Sequence, residues 1–232
     1  LTSDTDFLSG LRSGLVPALS AAPFGMLFGA VAVAQGLSIT ETSLMSLTIF
    51  AGASQLVGVE LFGHRVAAWL IIASIVAVNF RHVLYSAAIM PAIRHFSMPK
   101  KLTAFFLLTD PQFAETLKRF EATGHVSFSW YLGVGAALYG LWNIMTLVGA
   151  TIGGFISDPE ALGLDILLPI YFLNLVVGFR HRTNYAPVVA VSALGSILAY
   201  ATIGSPWHVS VGAVAGIALA AILPPKKREA AS

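Results

Sequence analysis

Arg81 and His82 stand inside an apolar run, residues 67–91, whose body reads WLIIASIVAVNFRHVLYSAAIM. At 1.5 Å per residue, roughly twenty apolar residues cross the hydrocarbon of a bilayer, so this run is long enough to span. A charge at mid-helix then costs about 2.5–3.5 kcal/mol on insertion scales. Arginine keeps its charge at any physiological pH, so Arg81 needs an internal partner or a ligand. Tyr85 follows four residues later and shares the Arg81 face of a helix. Asn79 adds hydrogen-bonding groups, and His82, with an ordinary pKa near 6.5, can carry a proton. This is chemistry for recognising a small polar solute inside an apolar setting.

Other polar residues fall in apolar segments: Gln55, Glu60, Asp110, Asn143, Tyr171 and Asn174. Within a membrane such residues are functional candidates, because their burial has to be offset. The competing reading is that they hold helices together, and for Asn143 and Asn174 the two readings weigh equally. Asp110 reads more readily as a helix cap than as a proton carrier.

The composition fixes the elements that position these groups. Of 232 residues, 56% are hydrophobic and 10% charged, and the mean hydropathy is +0.81. Soluble domains carry about 25% charged residues, so this chain cannot cover a water-facing surface. Its apolar runs are continuous and of helical length, without the alternation of a membrane β-barrel. The fold class is all-α: a polytopic transmembrane helical bundle of about 6–8 membrane segments, some broken or re-entrant, forming one integral membrane domain over 1–232. Net charge is +2 with basic residues spread over short loops, which is positive-inside sorting and no case for nucleic acid. Without cysteine there are no disulfides, catalytic thiolates or Cys metal sites. No secretory signal stands out in residues 1–12, and a start at Leu1 instead of Met places the natural start elsewhere.

Along the chain, residues 14–35 form a first span containing Pro17, Pro23 and the pair Gly25 and Gly29, whose spacing reads as close helix packing. In residues 43–63 the centre, Ala51-Gly52-Ala53-Ser54-Gln55, reads either as a packing seam or as a helix break that frees backbone groups to line a cavity, and Gln55 and Glu60 in the same segment tip the balance slightly to the break. Residues 103–122 are too short and too charged to span, and read as a re-entrant or interfacial piece with Asp110 as N-cap and Pro111 at the first helical position. Residues 130–156 and 166–179 follow as spans, then a hairpin over 186–203 and 207–223. Basic clusters at 94–101, 118–119, 180–182 and 226–228 place those loops and the C-terminus in the cytoplasm. The N-terminus is inside if 43–63 re-enter and outside if they span. Phe80-Arg81-His82 and Phe179-Arg180-His181 form a weak echo, which would divide the chain into halves of about 13–102 and 126–225.

The six histidines show no metal-helix spacing, and no phosphate-binding glycine loop or G-x-S-x-G is present. The residues thus point to no metal, no cofactor and no catalytic group.

The strings Ala51-Gly52-Ala53-Ser54-Gln55, Asn79-Phe80-Arg81-His82-Val83-Leu84-Tyr85 and Leu108-Thr109-Asp110-Pro111-Gln112-Phe113-Ala114, in that order, resemble the AzlC family. A fourth, Asp158-Pro159-Glu160-Ala161-Leu162-Gly163-Leu164-Asp165, is also similar, and the resemblance covers about residues 13–182. The family often carries Asp or Glu near the positions that are Asn79 and Pro111 here. The resemblance implies the large subunit of a branched-chain amino acid exporter of the bacterial inner membrane, with a small AzlD-type membrane subunit as partner. The residues alone reach only a small-solute transporter.

On that reading, Gly52, Ser54 and Gln55 at the broken helix and the Arg81 face bind a substrate carboxylate. Asn79 and Tyr85 add hydrogen bonds, Asp110 supplies negative charge, and His82, Asp110 and Glu60 are the proton-coupling candidates. The alternatives are a membrane scaffold subunit that transports nothing and, last, an intramembrane enzyme acting on lipid.

Overall fold

A computed structural model describes residues 3–63, 66–153, 170, 173, 176–177, 180, 182–204 and 207–223. Regular structure among them is entirely helical: α1 (Ser3–Ala34), α2 (Ile39–Ile49), α3 (Gly52–Gly63), α4 (Ala68–Asn79), α5 (Arg81–Ile93), α6 (Met98–Phe106), α7 (Asp110–Thr123), α8 (Phe128–Gly153), α9 (Tyr185–Thr202) and α10 (Trp207–Ile222). Four stretches among the described residues are long and apolar enough to cross a membrane: Thr5–Ala34, Ala68–Ile93, Phe128–Gly153 and Tyr185–Thr202. The protein is a helical membrane bundle.

The chain forms two compact units, Leu1–Asp165 and Ile166–Ser232. The second copy of the Phe-Arg-His echo lies outside the described residues except for Arg180, as do Tyr171, Asn174, the 158–165 string and the 226–228 cluster.

The frame of the first unit is α1 against α8. Glycines on each helix let the two backbones touch: a Cβ at Gly10 would strike the Trp130 carbonyl, and one at Gly133 the Phe7 carbonyl. Further along, a Cβ at Gly25 would come within 3.1 Å of the Trp142 carbonyl oxygen. Gly29 meets the backbone of Thr146 and Ala150, and Gly149 that of Met26. The Gly25/Gly29 spacing is therefore half of a seam, and the other half is Gly149 and Gly153 on α8. In lipid, where apolar surface gains nothing by leaving solvent, this close backbone approach is what dispersion requires. Outward faces stay apolar and exposed, as at Leu19, Trp69, Ile72 and Ile144, in keeping with lipid contact.

Three expectations shift. α1 begins at Ser3, eleven residues before the apolar span, because hydropathy marks the lipid-crossing part of a helix and not its end. The long 67–91 run divides at Phe80 into α4 and α5. The N-cap of α7 is Thr109, in extended conformation, with Asp110 and Pro111 as the first two helical residues. A carboxylate one position further in still favours the positive helix end, and its oxygens go elsewhere.

α2 starts with a complete capping box. Ser38 accepts from the Glu41 amide, and Glu41 accepts from the Ser38 amide at 2.8 Å and its hydroxyl at 2.6 Å. Those bonds hold the Glu41 carboxyl below its ordinary range. In the second unit, α9 and α10 pair through small residues, and the Ser192 hydroxyl donates to the Gly212 carbonyl at 2.9 Å.

Candidate functional site

Arg81 opens α5 and Asp110 opens α7, and the two side chains meet: Nη2 of Arg81 lies 3.2 Å from Oδ2 of Asp110. The other carboxylate oxygen, Oδ1, accepts from the Tyr85 hydroxyl at 2.7 Å. Arg81 and Tyr85 share one face of α5, so a single carboxylate on α7 receives both. Phe113, three residues beyond Asp110, stacks on the Tyr85 ring with centroids 4.5 Å apart and planes at 14°, which aims the phenol at Asp110. His82 sits edge-on to Tyr85 at 5.8 Å and donates from Nδ1 to the Asn79 carbonyl at 3.2 Å.

The intramembrane charge thus has its partner. The pair is neither closed nor complete: the two side chains keep 23% and 20% exposure. Nε of Arg81 and Oδ1 of Asn79 are buried without a hydrogen-bond partner among the described residues. A partly accessible cation and anion thus meet where Arg81, within the apolar run, keeps an unused donor. That arrangement suits a zwitterion, which offers each charge a replacement partner.

The second cluster is the break between α2 and α3. Phe50 adopts a left-handed backbone (φ 40°), an unusual conformation for a residue without glycine's freedom. In an unbroken helix the Ala51 amide would bond to the Leu47 carbonyl. Here the two halves of that bond are taken separately. Oε1 of Gln55 accepts from the Ala51 amide at 3.1 Å, and the Tyr139 hydroxyl of α8 donates to the Leu47 carbonyl at 2.9 Å. Ser54 donates to the Ala51 carbonyl at 2.8 Å. The Phe50 ring meets Tyr139 edge-on at 5.0 Å. Tyr139→Phe keeps the ring contact and removes only the cap, so stability should fall by about 1 kcal/mol. The check is thermal unfolding in detergent; an unchanged midpoint would mean that the break holds without this bond.

Ser54 and Gln55 are fully buried, and Gly52 lies against the Trp142 ring, where a Cβ would approach Cη2 to 2.7 Å. Gly52, Ser54 and Gln55 thus belong to the break, whereas Arg81, Tyr85 and Asp110 belong to the ion pair. The Phe50 ring also meets Phe106, the last residue of α6, at 6.5 Å between centroids. Glu60 is exposed on α3. Asn143 donates to the Tyr139 carbonyl of its own helix at 2.8 Å, a local bond that favours the structural reading. Among the described residues no three His, Cys, Asp or Glu side chains are placed to hold a metal.

Three residues escaped the sequence reading of the site: Tyr139, Trp142 and Phe113. Only Phe113 carried a local signal, its i, i+3 spacing from Asp110. A separate ion pair joins Arg119 of α7 to Asp6 of α1 at 3.5 Å, and Asp6 also accepts from the Ser127 hydroxyl.

Residues 17–156 match the family model described as AzlC protein. The chain is 28% identical over 225 residues to the inner membrane protein YgaZ of Escherichia coli (strain K12), covering 93% of this chain and 90% of that one. An uncharacterized membrane protein of Archaeoglobus fulgidus is 28% identical over 184 residues, 73% of this chain and 78% of the relative. One from Helicobacter pylori (strain 26695) is 24% identical over 162 residues, 69% and 70% of the two chains. No solved structure matches. The matched segment includes both the α2–α3 break and the Arg81–Asp110 pair, and the chain belongs to the AzlC family of membrane proteins.

Proposed function

We propose that this protein is a secondary permease exporting branched-chain or other hydrophobic amino acids across the bacterial inner membrane. It is the large subunit of a two-component system with a small AzlD-type membrane protein, and it is not an enzyme. The observation that carries the reading is the pairing of Arg81, in a run long and apolar enough to cross a membrane, with Asp110 of α7, steadied by Tyr85. Asp110 receives the substrate ammonium. Arg81 and the first turn of α3 (Gly52, Ser54, Gln55) receive the carboxylate, with Asn79 and Tyr85 adding hydrogen bonds. The apolar side chain takes the surrounding hydrophobic wall. His82, Asp110 and Glu60 are the groups through which a proton gradient acts.

Orientation follows from charge. The Asp6–Arg119 pair ties the start of α1 to the end of α7. Positive-inside sorting puts Lys118 and Arg119 in the cytoplasm. The N-terminal end of α1 is then cytoplasmic too, together with the C-terminus.

Counterflow tests the substrate class. Proteoliposomes preloaded with unlabelled leucine should accumulate external radiolabelled leucine, valine or methionine well above protein-free vesicles. Accumulation of none of the three, with both subunits verified in the membrane, would remove hydrophobic amino acids as substrates.

A further inference from the structure

We propose that Trp142 of α8 completes the first turn of α3 into a receptor for a carboxylate, a role that rests on the amino-acid reading above for its physiological ligand. Three observations carry it. First, α3 is twelve residues long and its first turn is buried at Ala53, Ser54 and Gln55, so its positive helix end lies inside the protein. Second, Gln55 folds back over that turn: its Oε1 is fixed on the Ala51 amide, which leaves Nε2 of the same amide group over the turn as well. Gln55 is fully buried, and Nε2 has no hydrogen-bond partner among the described residues. Third, the Trp142 ring is seated between two glycines, Gly25 of α1 and Gly52 of α3, and its edge at Cη2 and Cζ2 lies over Gly52. Its Nε1, two bonds from Cζ2, is likewise buried and without a partner.

All the spare groups at this turn are donors. A buried donor without an acceptor is costly, by about 1–3 kcal/mol each, and two sharing one turn with a helix N-terminus call for an anionic or carbonyl oxygen. No acceptor among the described residues takes either donor. A carboxylate suits the spot because its two oxygens accept from an amide N–H and an indole N–H without introducing a donor. The glycine slot fixes the indole, so little ordering remains to be done when the ligand arrives.

The test uses the full chain in lipid nanodiscs and compares three probes by equilibrium binding. L-Leucine has both charges, 3-methylbutylamine lacks the carboxylate and any carbonyl oxygen, and 4-methylpentanoate lacks the ammonium. Trp142→Phe retains an aromatic ring and removes the N–H. It should weaken leucine and 4-methylpentanoate binding by about tenfold or more, the loss of one hydrogen bond to a charged group, and leave 3-methylbutylamine unchanged. Because the readout is the ratio between probes on one protein, partial loss of folded material does not move it. Equal weakening of all three probes would make Trp142 a packing residue, and no change for any would mean that the donors hold water only; either overturns the proposal. Binding of neither carboxylate by the wild type overturns it too. Carboxylate binding that depends on Trp142, with leucine no better than 4-methylpentanoate and no leucine counterflow, would sustain this site while removing the amino-acid reading.

Discussion

Arg81→Ala should abolish export while the protein still inserts. The substitution removes the cation and leaves Asp110 with only the Tyr85 hydroxyl. Truncating one partner of a fully buried pair costs about 3–5 kcal/mol. With 23% and 20% of the side chains exposed, water screens part of that, and the stability loss should be well under the buried figure. Transport should suffer far more than stability. Asp110→Asn should behave alike, keeping the Tyr85 contact and losing the charge. The decisive variant is the double Arg81→Leu/Asp110→Leu, which leaves no unpaired charge. Replacing a buried pair by apolar residues is often neutral or stabilising, so the double variant should melt at least as high as either single one. Export should stay absent. If the double variant exports at the wild-type rate, the pair only holds helices together and is not part of the substrate site.

Gly149→Leu should remove the folded protein altogether. A Cβ there would strike the Met26 carbonyl, with the Met26 carbonyl carbon at 2.7 Å and Cα at 2.9 Å, so the obstacle is backbone and cannot rotate away. The α1–α8 seam would have to open along its length, and with it the slot for Trp142 and the frame of Tyr139. Gly140 of the same helix is the internal control, since a Cβ there meets nothing within 4 Å. Gly140→Ala should be tolerated and slightly stabilising, by about 0.5–1 kcal/mol from helix propensity. Size-exclusion profiles of both variants in mild detergent check the pair. A monodisperse Gly149→Leu peak at wild-type yield would show that the seam is not what holds the first unit together.

The helical membrane class was legible because composition and run length leave few solutions in lipid. The α2–α3 break was legible for a similar reason: small and polar residues interrupted an apolar segment at Ala51–Gln55. Its closure was not. Tyr139 reads as one more aromatic in a glycine-rich span, and nothing local says that its hydroxyl caps a carbonyl ninety-two residues earlier. Arg81 announced that it needed a partner, and Asp110 was flagged separately. Their pairing depends on α5 meeting α7, which no periodicity encodes. Asp110 as an N-cap missed by one position: Thr109 and Asp110 are both acceptable caps before a proline, and the demand of Arg81 and Tyr85 fixes which one turns inward. Gly25 and Gly29 declared a packing face, whereas its counterpart at Gly149 and Gly153 lay too far along the chain to be matched.

The most direct measurement is efflux of radiolabelled leucine from proteoliposomes holding this chain and an AzlD-type subunit, across an imposed pH gradient. The account predicts gradient-driven efflux from the wild type with the small subunit, and none from Arg81→Ala under the same conditions. Efflux from Arg81→Ala at the wild-type rate, or none from the wild type with both subunits inserted, would contradict it.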